Sequence, residues 1–299
     1  MHPRQIAHLQ IHFCVLLWGF TAILGTLISL PAAQLVWWRM LLVSLSLLLL
    51  PRVWRALGQM PLRQIGIFAL IGMVVALHWL TFYAAIKLSN ASVGATCMAL
   101  APVFLAITEP LLTKRAFRLR ELLLGAAVVP GVALVVGAVP SDMHAGIALG
   151  ALSAFFVAVF AALNKRHIGR GDALTITFIE MSAGALLLTL TAPLLAQGGA
   201  AFALPGLRDA LLLGVLAFAC TLLPFALSLK ALHHLSAYTA QLAINLEPVY
   251  TILIAIVLLN EHRELSLYFY LGVAIVISAV MLFPLLDRPT TLQSPEQAP

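Results

Sequence analysis

Apolar residues in this chain come in long unbroken runs, without the alternation of a half-buried strand or the polar stripe of a surface helix. A helix needs about 20 apolar residues to cross a hydrocarbon core of about 30 Å. Ten windows meet that length: residues 8–30, 33–50, 64–87, 91–113, 119–139, 145–164, 173–196, 208–230, 236–260 and 265–286. The connections carry the breakers, among them Leu30-Pro31, the Pro51 to Pro61 stretch, Pro140-Ser141-Asp142, Gly169-Arg170-Gly171-Asp172, Gly198-Gly199 and Pro205-Gly206. No window alternates with period two, which excludes a membrane β-barrel. The pattern predicts an all-α integral membrane protein with ten transmembrane helices.

Composition agrees. Of 299 residues, 62% are hydrophobic and 9% charged, with a mean hydropathy of +1.05. Soluble domains carry about 25% charged residues, so an ordinary cytosolic enzyme, a disordered chain and a secreted disulfide scaffold are set aside. Cys14, Cys97 and Cys220 all lie inside apolar runs, without metal-ligand spacing, and read as packing residues. The formal net charge is +6, and its placement explains it. With the N-terminus inside, thirteen of the 17 Lys and Arg fall on the cytoplasmic side, while Lys87, Arg208 and Arg263 fall outside and Arg39 lies within the second window. This asymmetry predicts an even span count with both termini cytoplasmic, in the cell inner membrane, and no nucleic-acid partner is needed to account for the basic balance. The first window is long for a secretory signal and reads as a span. Residues 288–299 are polar and Pro-rich, and are expected to form a disordered cytoplasmic tail.

Cutting the chain near residue 142 leaves five windows on each side, in residues 1–142 and 143–287. Leu80-Thr81-Phe82-Tyr83-Ala84-Ala85-Ile86-Lys87 lies against Leu223-Pro224-Phe225-Ala226-Leu227-Ser228-Leu229-Lys230. Farther on, Ala91 matches Ala237, and Leu100-Ala101-Pro102-Val103-Phe104 matches Leu246-Glu247-Pro248-Val249-Tyr250. A five-span unit repeated in one chain must insert its second copy upside down. Inverted repeats with a site at mid-depth between them are a secondary-transporter architecture and supply alternating access.

The Leu16-Leu17-Trp18-Gly19-Phe20 start, Trp38-Arg39 early in window two, and Leu246-Glu247-Pro248-Val249 followed by Asn260-Glu261 resemble the EamA-type branch of the drug/metabolite transporter superfamily. The likeness covers nearly the whole chain. It implies a cavity lined by windows one, three, four, six, eight and nine, and export as the usual direction. The first half departs from the pattern, with Lys114-Arg115 standing where Asn260-Glu261 stands and Ala101 where Glu247 stands.

Several residues are candidates for transport chemistry. Proline inside a helix frees the carbonyl four residues back, so Pro102 would expose that of Met98 and Pro248 that of Ile244, which makes this matched pair candidate hinges. Pro224 would similarly free Cys220. In window nine, Tyr238, Gln241 and Asn245 share a face and Glu247 follows two residues on. A carboxylate at mid-membrane costs about 3 kcal/mol, which the apolar residues of the same window outweigh. Glu247 fits a substrate amine, a coupled proton or a pair with Arg39. Arg39, beside Trp37 and Trp38, sits only about 9 Å of helix from the outer end. That suits a snorkelling anchor or structural ion pair, and equally a fork for a substrate carboxylate.

His78, Trp79, Phe82 and Tyr83, with Trp18, Phe155 and Phe156, would line an amphipathic cavity, the alternative for the aromatic rings being plain packing. A titratable ring such as His78 in mid-span is expected to face the protein interior or water. Glu180 and Glu109 lie nearer the cytoplasm and read as structural or vestibular. His8 and His12 are one turn apart without a third ligand, so no metal site is expected. Small residues at spacing four (Gly72 and Ala76, Ala95 and Ala99, Gly146 and Gly150, Ala158 and Ala162) predict close helix contacts.

A membrane-embedded enzyme would need a catalytic constellation at membrane depth. Asp142, Asp172, Asp209 and Asp287 all lie in connections or the tail, and no GxSxG, HExxH or Walker A sequence occurs. The reading is a secondary transporter exporting small organic metabolites, amino acids or similar amphipathic solutes, without cofactor or metal; its partners are the solute, the lipid bilayer and coupled protons. A proton-coupled drug-cation antiporter is the runner-up, opposed by the lack of any acidic residue in windows one and six. A membrane-embedded enzyme is the alternative of another class.

Overall fold

The computed structural model describes residues 3–114, 116–195, 202–232, 243–244 and 246–286, and all regular structure among them is helical. The first half contains α1 (Pro3–Leu27), α2 (Ala32–Leu48), α3 (Pro51–Gln59), α4 (Leu62–Leu88), α5 (Ala91–Met98), α6 (Ala101–Thr113), α7 (Leu119–Ala126) and α8 (Val129–Ala138). The second half contains α9 (His144–His167), α10 (Ala173–Leu195), α11 (Leu207–Gly214), a π-helical stretch (Val215–Leu222), α12 (Leu223–Leu232), α13 (Glu247–Leu259) and α14 (Leu267–Leu286).

Five described stretches are long and apolar enough to cross a membrane: Gln5–Leu27, Leu62–Leu88, Ala91–Thr113, Ser141–His167 and Ala173–Leu194. The pair α2 and α3, bent by 89°, adds a sixth if counted as one span. The remaining windows hold shorter helical pieces, so the described residues do not by themselves establish ten continuous spans. Proline accounts for part of the fragmentation. Window five breaks after α7 and restarts as α8 with Pro130 in its first turn, where a missing N–H removes no intrahelical bond.

The same reason corrects the expectation for the matched prolines. Pro102 and Pro248 do not interrupt helices from within; each stands in the first turn of a helix, α6 and α13. Instead of a freed Met98 carbonyl, the chain makes tight turns ahead of Pro102, with Ala99 N–H on Thr96 O at 3.1 Å and Leu100 N–H on Cys97 O at 3.0 Å. The stretch after Pro51, read as a connection, is also helical. α3 has Pro51 in its first turn and Val53 buried, with Trp54 and Arg55 exposed, the composition of an interfacial helix.

Helix neighbours follow a two-fold pattern. α4 packs on α9, and α1 on α12; α6 packs on α9, and α13 on α1; α4 packs on α10, and the π-helical stretch on α2. Exchanging the five windows of one half with those of the other turns each of these pairs into its partner. The pairs α2 with α10, α5 with α13 and α8 with α14 map onto themselves.

In lipid the close contacts come from small residues. A Cβ on Gly72 would lie 2.2 Å from Glu180 O, so glycine is what lets α4 and α10 touch backbone to backbone. Gly131 of α8 and Gly272 of α14 meet reciprocally, each hypothetical Cβ within 2.8 Å of the other's carbonyl oxygen. Large apolar side chains such as Leu62, Leu194 and Leu253 are exposed around the outside, as a lipid-facing surface requires.

Polar ties join the helix ends. Asp209 accepts from Ser29 N at 3.0 Å and Ser29 Oγ at 2.5 Å, and Lys87 donates to Ile28 O. Glu261 accepts from the backbone N–H groups of Ala91 and Ser92, each at 2.9 Å, which together with the Asn90 side chain satisfies the start of α5. Elsewhere, Glu109 pairs with Lys165 and Asp172 with Arg52, as the structural reading of Glu109 expects.

Candidate functional site: a charged cavity between the halves

A cavity of about 310 Å³ opens where the two halves meet. The first half supplies Trp18 and Thr21 from α1, Arg39 and Val43 from α2, His78 and Trp79 among others from α4, and Met98 from α5. The second half supplies Phe160 and Asn164 from α9, Thr177, Glu180 and Met181 from α10, Cys220, Thr221 and Leu222 from the π-helical stretch, and Glu247 from α13.

Arg39 is the most tightly held of the charged groups. It is 4% exposed. Its Nε donates to Thr221 Oγ1 at 2.9 Å and an Nη to the Tyr83 hydroxyl at 2.9 Å. The guanidinium lies 3.7 Å from the centre of the Trp79 ring, a cation–π contact. This is not a snorkelling anchor, since the side chain lines the cavity and its donors end on residues inside the protein. Nor does it form a direct ion pair with Glu247 within 4 Å; both groups line one space.

The π-helical stretch explains how Thr221 reaches Arg39. Pro224 has no N–H to return to Cys220, and just ahead of it the helix widens: Leu223 N–H bonds Phe218 O and Thr221 Oγ1 donates to Leu216 O at 2.7 Å. Such bulges concentrate at functional sites. Here the widened turn brings three successive residues, Cys220, Thr221 and Leu222, to the cavity wall.

His78 lines the cavity and is fixed from behind. Its Nδ1 lies 2.8 Å from Ser153 Oγ and 3.1 Å from Ser153 O, and its ring stacks on Phe82 and lies tilted against Phe160. Glu247 opens α13, where a carboxylate meets the positive end of the helix dipole. Glu180, expected to be structural or vestibular, lines the cavity as well.

Of the sequence-predicted site residues, Trp18, Arg39, His78, Trp79 and Glu247 come together here. Tyr83 is fully buried behind Arg39 as its hydrogen-bond partner. Trp38 does not line the cavity; its indole donates to Ala203 O at 3.2 Å and its ring packs edge-on to Trp37. Phe156 also stays outside, against Phe155. Trp38 points away because it is adjacent in its helix to the lining Arg39 and so faces another side, whereas Phe156 shares a face with the lining Phe160 and lies one turn beyond the cavity. Tyr238, Gln241 and Asn245 lie outside the described residues.

Thr21, Phe160, Asn164, Thr177 and Thr221 were not singled out from the sequence. The four polar ones had only their polarity within apolar runs as a signal, as with Thr177 one turn before Glu180, and Phe160 had none. The family resemblance also left out windows two and seven, which bring Arg39 and Glu180 to the wall.

Comparison with known proteins adds the family. The profile of the EamA-like transporter family matches residues 5–137 and 144–284, two consecutive copies on one chain. No curated protein matches. A solved crystal structure of a protein shares the fold with a TM-score of 0.60 at 16% sequence identity, over 94% of this chain and 98% of that one.

Proposed function

Because the chain belongs to the EamA-like transporter family, we propose that it is a secondary transporter moving small organic metabolites, amino acids or similar amphipathic solutes, by alternating access through the cavity described above. The observation that carries this reading is a cavity built jointly by two repeated halves and lined by Arg39, Glu180 and Glu247 beside Trp18, Trp79 and Phe160. Charges of both signs suit a solute with a carboxylate and an amine, and the aromatic walls suit its apolar body. In this reading the chain crosses the inner membrane ten times with both termini cytoplasmic, residues 1–142 and 143–287 are oppositely oriented five-helix repeats, and Pro102 and Pro248 mark the hinges. The two-fold pattern of helix neighbours supports the repeats, and the Lys and Arg distribution supports the orientation. Export as the direction rests on the family resemblance.

A proton-coupled drug-cation antiporter would share the acidic groups. The lack of any acidic residue in windows one and six disfavours it.

The test is counterflow of a metabolite panel by the purified protein in liposomes, with and without a pH gradient. Exchange of an amino-acid-like solute is the expected result; exchange of no solute would overturn the transporter reading. If Glu247 carries a coupled proton, Glu247→Gln retains exchange and loses its dependence on the gradient. Unchanged dependence would remove Glu247 from the coupling.

A further inference from the structure

Among the described residues, the buried carboxylates are nearly all answered by donors. Glu109 has Lys165, Glu121 has Arg118, Asp209 has the Ser29 amide and hydroxyl, and Glu261 has two backbone N–H groups. Glu180 is different. It is 7% exposed and forms no ion pair, and its Oε1 has no donor. The Asn164 Oδ1 is likewise buried without a donor. Both side chains line the cavity, and each keeps one buried acceptor oxygen that no protein donor answers.

The backbone under Glu180 is fixed. α4 crosses α10 at Gly72, against the Glu180 carbonyl, and Gly184 one turn on packs against Met40 and Gly72 O. Rearrangement of α10 to find Glu180 a partner would break that close crossing. Leaving a buried acceptor unpaired is costly, more so when it is charged, and a carboxylate without a counter-ion in a membrane helix marks a ligand path.

The position is also notable within the repeat. Arg39 is the eighth residue of α2, which starts at Ala32, and Glu180 is the eighth of α10, which starts at Ala173. α2 and α10 pack on each other and exchange under the pseudo-two-fold. In oppositely inserted halves this puts the cation about 10 Å of helix from one face and the anion about 10 Å from the other.

The geometry points to Glu180 and Asn164 as the cation-binding pole of the transport cavity, a subsite for the primary ammonium group of the solute. An ammonium offers three N–H donors and a positive charge, enough to answer an acceptor on each side chain. A proton on Glu180 supplies one donor and leaves the other acceptor unmet. The inference rests on the transporter reading and adds to it that the solute carries an amine, received at the wall opposite in sign to Arg39.

The experiment compares three probes of one carbon skeleton: leucine, 3-methylbutylamine, which lacks the carboxylate, and 4-methylpentanoate, which lacks the amine. Each is tested for exchange and for inhibition of exchange by wild type, Glu180→Gln and Asn164→Leu in liposomes, with gel-filtration profiles confirming folded protein. The expected result is a fall of at least about tenfold in the amine-to-acid affinity ratio for Glu180→Gln, and of about threefold for Asn164→Leu. Should Glu180→Gln not fold, the ratio in Asn164→Leu decides. An unchanged ratio in folded variants overturns the subsite and leaves the transporter reading standing. A variant that keeps the ratio and loses only its response to a pH gradient also overturns it, by assigning Glu180 to a proton. Wild type that neither exchanges nor binds any of the three probes refutes the amine-solute reading, and the subsite with it.

Discussion

Helices α6 and α13 are one element built twice. Each has thirteen residues and a proline in its first turn. Each follows a tight turn, with Leu100 N–H on Cys97 O and Leu246 N–H on Ala243 O, both at 3.0 Å. Each ends on a left-handed residue, Lys114 at φ 59° and Asn260 at φ 57°, the only non-glycine residues with positive φ among those described. The charges do not repeat. Ala101 opens α6 where Glu247 opens α13, and Lys114 stands where Asn260 precedes Glu261. α2 and α10 differ likewise, with Arg39 at the position of Glu180. A backbone that repeats can exchange between two related shapes, whereas side chains that do not repeat give the cavity a polarity the solute must match.

Breaking that polarity at its most constrained point has the largest expected effect. Arg39→Lys keeps the charge but loses the planar fork to Thr221 and Tyr83 and the stacking on Trp79. Exchange by the reconstituted protein should fall at least about 100-fold, equivalent to about 2.7 kcal/mol. Counterflow rates normalised to folded protein check this; a near wild-type rate would reduce Arg39 to a packing element and remove one of the two poles.

The repeat itself was legible in the sequence because the segments ending at Lys87 and Lys230 match, and Pro102 and Pro248 follow them with only a three-residue difference in the loop between. The charged members of the site were legible too, since an Arg or Glu in an apolar run stands out wherever it faces. The inward direction of the other residues was not. A helix that is apolar nearly all round, such as α2 or α9, offers no polar face to orient it, so Trp38 looked equivalent to Trp18, and Phe156 stood out where Phe160 lines the wall. Thr221 depended on a widened turn whose sole cue was Pro224. Glu180 was placed by distance along its span, which gives depth but not facing.

The next effect concerns the half-specific clasp. Glu261 satisfies two buried N–H groups at the start of α5, and Glu261→Ala leaves both without a partner. Stability should drop by about 1–3 kcal/mol, seen as an unfolding midpoint in detergent several degrees lower. Lys114→Ala, at the matched end of α6, should give a smaller drop. Equal losses would mean that the clasp adds nothing beyond the shared backbone.

Replacing the matched prolines tests whether the shared backbone moves. In the first turn of a helix, proline is preorganised and removes no bond, so Pro102→Ala with Pro248→Ala should change stability by under about 1 kcal/mol. If the breaks ahead of α6 and α13 are hinges, exchange slows about tenfold. A double variant exchanging at the wild-type rate would leave the prolines as helix starts alone.

The smallest effect isolates residue type at one backbone position. Lysine in the left-handed region carries a Cβ clash of roughly 1–2 kcal/mol, which asparagine relieves by local hydrogen bonding and glycine lacks. Glycine also loses more freedom on folding, by about 0.5–1 kcal/mol. Lys114→Gly should therefore gain about 0.5 kcal/mol, and Asn260→Gly should stay within a few tenths of zero, both read as unfolding midpoints. A larger gain at Asn260 would mean that its side chain is strained by more than its dihedral, and that the two caps match in backbone angle without matching in energy.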